Sequence, residues 1–436
     1  MQGGGFNNAY PTQNGSSLVR ASNGTIMVVS INYRVSAYGF LSSAEIKKGA
    51  SLNNGLKDQR MALTWVNQNI AKFGGDPGHV VLGGASAGAG SVTLQLAAYG
   101  GRQDNLFHAT IAESQSFGAL RTVDESQYQY DELVNRTKCD EQTTGKSDTL
   151  SCLRSLDITT FQTQNIMTRY RNTNADPLFA YNPTLDMDFI QGYTMDLFNT
   201  GRYLKLPAIY GDVSNEGTVF VPKNETDTVE ESNNFIRAQY PLLNDSNLDT
   251  IQALYPPENQ DRNTYSNIGT NTGKYWRSTA DAYGDQRYVC PGFFMNNVTA
   301  HYAVKNPTAG NWNYHYNVSD PGQYNAGLGV PHVAEQSAVW GESNPASYKT
   351  TNAPIIPMMQ SYWISFIRYF DPNSGREVGS PVWADWGTPD AKGGNRLLVN
   401  SPATTGSIDS TVMELIDDDY RHKCSVLGAW AVAIKQ

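Results

Sequence analysis

The chain has 436 residues, 39% of them apolar and 17% charged, with a formal net charge of −9. That length and apolar content can bury a large core, and a single domain over residues 1–436 with helical insertions fits them better than separable units. Lysine and arginine are scattered through an acidic chain, which argues against nucleic acid or an anionic membrane as a partner, and no apolar run reaches the roughly 18 residues that span a bilayer.

In chain order, the first feature is a glycine triplet, Gly3, Gly4 and Gly5, behind Met1 and Gln2. Consecutive glycines reach positive φ and let other atoms approach their N–H groups, which suits a turn or an anion-binding loop as well as a loose end. IMVVSI at 26–31 reads as a strand buried on both faces of a parallel sheet. From 56 to 73, Leu56, Leu63, Val66 and Ile70 recur at helical spacing. HVVLGG at 79–84 predicts a second strand, the small residues of 87–98 a helix, and 109–112 a third strand. This is the rhythm of a doubly wound α/β sheet, whose connections are right-handed crossovers. Residues 122–203 are polar, loop-rich and helical, and are expected to form an insertion over the sheet. LKLPAIYGD at 204–212 predicts another strand, 222–300 a second and mostly helical insertion, WNYHYNV at 312–318 a strand, and 355–370 a helix with a broad apolar face.

The sharpest chemical signal is GASAG at 84–88, a G-x-S-x-G pattern set between an expected strand and an expected helix. In that setting the glycines allow a turn too sharp for side chains, and Ser86 takes strained backbone angles that lift its hydroxyl onto a helix N-terminus. A serine hydroxyl is a weak nucleophile at neutral pH and needs a general base, normally histidine oriented by a carboxylate. Of the six histidines, His79, His108, His301 and His315 fall in turns, strands or helices with structural readings, and His422 stands in a solvated RHK run. His332 differs, because GLGVPH places it at the end of a Gly/Pro loop from which a side chain reaches into a site. For the acid, Asp212 and Glu216 both lie in YGDVSNEG, at the same sheet edge as Ser86, and the residues alone do not separate them. The order Ser, acid, His is that of α/β-hydrolases rather than of the common serine proteases.

Four cysteines leave an even count: Cys139 and Cys152 flank a polar loop at a spacing that suits a local disulfide, and Cys290 and Cys424 are available for a second. Seven N-x-S/T sequons occur, at Asn14, Asn23, Asn135, Asn224, Asn244, Asn297 and Asn317. Both features point to an extracellular setting.

NYRVSAYGFLS at 32–42, NNGLKDQRMALTWVNQNIAKFGGDP at 53–77, the GGASAGAGSV elbow, SNEG at 214–217, GVPH at 329–332 and MMQSYWISF at 358–366 resemble the type-B carboxylesterase family, which includes cholinesterases and fungal lipases. The resemblance runs from Gly3 to near Cys424. It implies an α/β-hydrolase fold, Ser86 as nucleophile, Glu216 as triad acid and His332 as base. It also implies oxyanion donors at Gly4, Gly5 and Ala87, and disulfides pairing Cys139 with Cys152 and Cys290 with Cys424. The activity implied is secreted carboxylic-ester hydrolysis, without cofactor or metal, on a small-molecule or lipid ester. An inert cholinesterase-like binding module is the alternative. Relatives carry a long stretch ahead of the glycine triplet, including early strands of the sheet, and a chain lacking those strands would have unpaired edges.

A second departure concerns Ala85, where most relatives have glutamate; Glu335, three residues after His332, is present as in the family. With alanine at 85, Glu335 is expected to lack a carboxyl partner with which to share a proton. Ala85→Glu is therefore expected to change the pH dependence of ester hydrolysis, and superimposable pH–rate profiles for the two proteins would contradict this.

Overall fold

The computed structural model describes the whole chain except residues 146, 258–271, 304–309, 342–344, 388–392 and 401–410. Its centre is a six-stranded sheet. β1 (Val81–Ala85), β2 (Ala109–Glu113), β3 (Ala208–Val213), β4 (Asn311–Asn317) and β5 (Asn395–Asn400) lie side by side in chain order, all parallel, and β6 (Val412–Leu415) ends the row antiparallel to β5.

Every residue of β2 and β3 is buried, as a parallel sheet covered on both faces requires. Alternation along the strands sorts the core into two layers. Ile111, Ile209, Tyr314 and Leu397 pack with helix Ile355–Tyr369 on one face, while Leu82, Ala112, Ala208 and Tyr210 pack with helix Ala87–Leu96 on the other. Helix Ile355–Tyr369 forms because Ile355, Met358, Met359, Tyr362, Trp363 and Phe366 recur at three- and four-residue steps and are all buried. Helix Ala87–Leu96 is buried along its whole length, which its alanines and glycines permit by letting it lie close to the sheet.

Between β2 and β3 the chain holds helix Val123–Arg136, started by a reciprocal Thr122–Glu125 capping box, and the Cys139–Cys152 disulfide, with Cα atoms 5.5 Å apart. Between β3 and β4 it holds helices Val229–Gln239, Asp245–Leu254 and Trp276–Gly284; residues 258–271 of the expected helical segment lie outside the described residues. Helix Trp276–Gly284 runs through a π-helical turn, Asp285–Val289, into helix Cys290–Ala303. Cys290 is bonded to Cys424 of helix Asp418–Gly428, with Cα atoms 5.0 Å apart.

Two expectations from the sequence are corrected. Residues 26–31 form no ladder, and Ile26 and Val28 pack on the core, whereas Met27 and Val29 are 44% and 45% exposed. The reason is a lack of neighbours: a cavity of about 1120 Å³ is lined by this segment and by β1, so neither reaches the other for hydrogen bonding. Among the described residues the outer edge of β1 has no strand partner, and Gly83 O accepts instead from the Met1 amine at 2.7 Å. The second correction is an omission, since β5 and β6 have no counterpart in the sequence reading. The sequon at Asn317 is also structural: this asparagine is buried and its Nδ2 donates to Asn400 at 3.0 Å, while Asn14, Asn23, Asn135, Asn224, Asn244 and Asn297 are exposed.

The Cys290–Cys424 bond closes a loop of 134 residues that contains β4, β5 and β6. Replacing both cysteines with alanine is expected to lower the free energy of unfolding by about 2–5 kcal/mol, by restoring chain entropy to the unfolded state. An unchanged denaturant midpoint under non-reducing conditions would show that the bond does not constrain the fold.

Candidate active site

Ser86 stands where β1 becomes helix Ala87–Leu96, with φ 59° and ψ −125°, a strained conformation for a residue with a side chain. Its neighbours explain how the chain tolerates it. A Cβ on Gly84 would lie 2.4 Å from Gly88 O, and one on Gly88 would lie 2.2 Å from Met1 O, so both positions must be glycine. The Ser86 N–H donates to Glu113 O at 2.9 Å, extending the β1–β2 pairing one residue past the strand and fixing the turn.

The glycine triplet lies directly against this turn. A Cβ on Gly3 would sit 2.9 Å from Ser86 Cβ and 3.5 Å from Ser86 Oγ. Gly4 and Gly5 have φ of 81° and 60°, and a Cβ on Gly5 would strike the Phe179 ring at 2.0 Å. Met1 to Gly5 are thus an ordered wall of the cavity that Ser86 also lines.

Glu216 and His332 come from two loops tied together by Asn215. Asn215 N donates to Val330 O at 3.0 Å, and Val330 N donates to Asn215 Oδ1 at 2.9 Å. Gly329, at φ 68°, makes room, because a Cβ there would lie 1.9 Å from Asn215 Oδ1. This clamp brings Glu216 to His332: Nδ1 of the imidazole donates to Glu216 Oε2, while Glu216 Oε1 accepts from Val213 N at 3.0 Å. Both carboxylate oxygens are engaged and the residue is 2% exposed. The imidazole packs against Tyr288 and Phe220, with ring centroids at 4.3 and 5.0 Å. Its Nε2 is buried and has no hydrogen-bond partner, and His332 and Ser86 line the same cavity of about 1120 Å³ together with Phe179 and Phe220. A base held in one orientation and one tautomer, beside a cavity containing a strained serine, has the parts for deprotonating that serine.

Asp212, left level with Glu216 by the sequence, goes elsewhere. Its Oδ1 accepts from Arg396 Nη1 at 3.5 Å, its Oδ2 has no partner, and burial pushes its carboxyl well above the usual range despite that guanidinium. His315 is held by Glu414 Oε1 at 2.9 Å and Ser214 Oγ at 2.8 Å, and His79 Nε2 by Ile367 O at 2.7 Å. Sequence reasoning missed Asn215, whose role is to join two loops more than a hundred residues apart, and Glu113, whose signal is strand register. It also expected Glu335 to lack a carboxyl partner, whereas Glu113 faces it from β2. No group of metal-ligating side chains occurs among the described residues.

Residues 1–410 match the model of the Carboxylesterase family. The chain belongs to that family. Its carboxylesterase sheet has a close match in the crystal structure of Aspergillus niger EstA, with a TM-score of 0.90 and 34% identity over 100% of this chain and 80% of that one. The fold is the α/β-hydrolase fold. The chain is 32% identical to secreted lipase 4 of Gibberella zeae over 87% of its length, and 38% identical to lipase 2 of Geotrichum candidum over 58%. It spans 66% and 46% of the lengths of those two lipases.

Asn215→Ala removes the side-chain half of the clamp and leaves Val330 N buried without that acceptor. It is expected to cost about 1–3 kcal/mol of stability and, through displacement of the imidazole, up to about 10²-fold in kcat/KM. A variant with native stability and native turnover would show that the loops are held by other contacts.

Proposed function

We propose that this carboxylesterase-family chain carries the reaction of a secreted serine hydrolase that cleaves carboxylic esters of small molecules or lipids. The observation that carries this reading is His332, bound to Glu216 through Nδ1 while its unpartnered Nε2 borders the cavity where Ser86 is held in a strained turn. In the reaction, His332 Nε2 takes the hydroxyl proton as Ser86 Oγ attacks the ester carbonyl. The tetrahedral oxyanion is met by N–H groups of Gly4, Gly5 and Ala87, the last at a helix N-terminus where the backbone dipole favours negative charge. His332 then returns the proton to the leaving alcohol. Water enters, loses its proton to His332 and releases the acid from the acyl-Ser86 intermediate. The scheme calls on no cofactor. Two disulfides, six exposed sequon asparagines and the names of relatives that are secreted lipases support an extracellular setting.

A chromogenic ester assay with short and long acyl chains, paired with covalent labelling by a fluorophosphonate, tests the reading. Labelling is expected at Ser86, and Ser86→Ala is expected to lose on the order of 10⁶-fold in kcat. Glu216→Gln, which disturbs the tautomer and orientation of His332, is expected to lose about 10⁴-fold. Turnover that survives Ser86→Ala would overturn the mechanism.

A further inference from the structure

Glu113 ends β2, and Glu335 follows His332 by three residues; the two are 5% and 0% exposed. A closed circuit of contacts joins them. Trp363 Nε1 donates to Glu113 Oε1 at 3.0 Å, and the Trp363 ring packs on Tyr314 with centroids 5.5 Å apart. The Tyr314 hydroxyl donates to Glu335 Oε1 at 2.8 Å, and Gln336, the next residue, donates Nε2 to Glu113 Oε2 at 3.3 Å. Glu335 Oε2 is buried and has no hydrogen-bond partner.

No lysine or arginine faces either carboxyl among the described residues. The groups that do are the two carboxyls themselves, Glu216, the hydroxyls of Tyr314, Tyr316 and Tyr348, and the Met1 amine. Burial pushes that amine down to about 6, so it is mostly uncharged at neutral pH. Two ionised carboxylates in this position would be buried without a cation, which costs far more than keeping one proton. Burial first, and then the repulsion of Glu113 and Glu216, raises the Glu335 carboxyl well above the usual range; burial raises Glu113 as well.

We propose that Glu113 and Glu335 hold one proton between them beside the Ser86–His332 site, with Glu113 supplying from β2 the carboxyl that β1 lacks at Ala85. Register makes the substitution possible. Ala85 and Glu113 are partners across the parallel β1–β2 ladder, so their side chains leave the sheet on the same face. The exchange moves the carboxyl one strand over and keeps it next to the nucleophile, whose N–H is bonded to the Glu113 carbonyl. Glu113 is thus a positioning residue that sets the charge beside His332. The pair carries one negative charge at neutral pH and a second once the shared proton leaves on the alkaline side.

Infrared difference spectroscopy of the full chain as pH is raised tests this without reference to turnover. The protonated-carboxyl stretch of the pair is expected to disappear at a lower pH in Glu113→Gln and in Glu335→Gln than in the native protein, because the like charge of the partner is gone. The double variant Glu113→Gln/Ala85→Glu is expected to restore the native titration. A stretch that titrates in Glu113→Gln as in the native protein would mean that Glu335 holds its proton through burial alone and would overturn the pairing, as would a native protein with no protonated-carboxyl band that either variant changes. In the kinetic arm, which rests on the proposed ester hydrolysis, the native pH profile of kcat/KM is expected to carry an alkaline inflection that Glu113→Gln lacks. If no ester is turned over, the spectroscopic outcome still decides the proposal.

Discussion

The parallel ladder between β1 and β2 governs the site. It places Ala85 opposite Glu113 and continues one bond further, from Ser86 N to Glu113 O, so the strained turn at Ser86 is an extension of regular sheet pairing. A residue at φ 59° persists only when its surroundings leave it no alternative. Here the constraint comes from that hydrogen bond on one side and from the backbone contacts of Gly84 and Gly88 on the other. The second half of the site depends on the same sheet, since β3 ends at Val213, whose N–H holds Glu216, and Asn215 reaches from there to the loop of His332.

Much of this was legible in the sequence where local pattern and local structure coincide. GASAG between an apolar strand and a small-residue helix marked Ser86, and GLGVPH marked His332 as the histidine free to enter a site. Glu216 and Asp212 were not separable, because the choice turns on a partner far away in the chain: Arg396, on β5, draws Asp212 aside. Asn215 and Glu113 were invisible for a related reason, as their roles exist only once two loops or two strands lie side by side. Residues 26–31 misled because β-branched composition reports a preference for extended backbone and says nothing of whether a neighbouring strand is there to pair with. β6 escaped notice because VMEL is four residues, half exposed and antiparallel, with a weak alternating pattern.

The interior is more polar than a simple apolar core. Arg396 bridges Asp212 and Glu414, and Glu414 in turn holds His315, so four ionisable side chains span β3, β4, β5 and β6 across their register. Hydrogen bonds from His315 and the Arg396 charge pull the Glu414 carboxyl down to about 2 against the opposing effect of its burial. This contribution to stability is complete above the usual glutamate range and disappears as pH falls toward 2. The carboxyls of Glu113 and Glu335 have no such cation and are raised by burial, so they answer acidity in the sense opposite to Glu414.

The bond between Cys290 and Cys424 separates the residues of the proposed triad topologically. His332 lies within the covalent ring that it closes, together with β4, β5 and β6, whereas Ser86 and Glu216 lie on the stretch of chain outside it. Besides the backbone at Cys290, the two parts meet through non-covalent contacts, among them the β3–β4 ladder, the Asn215 clamp, the bonds of Trp363 and Gln336 to Glu113 and the hydrogen bond between imidazole and carboxylate. A cut in the backbone within the ring would leave His332 tethered by sulfur and still able to dock. A cut between Glu216 and Cys290 would divide the molecule into a piece that carries Ser86 and Glu216 and a piece that carries His332, held together by the sheet.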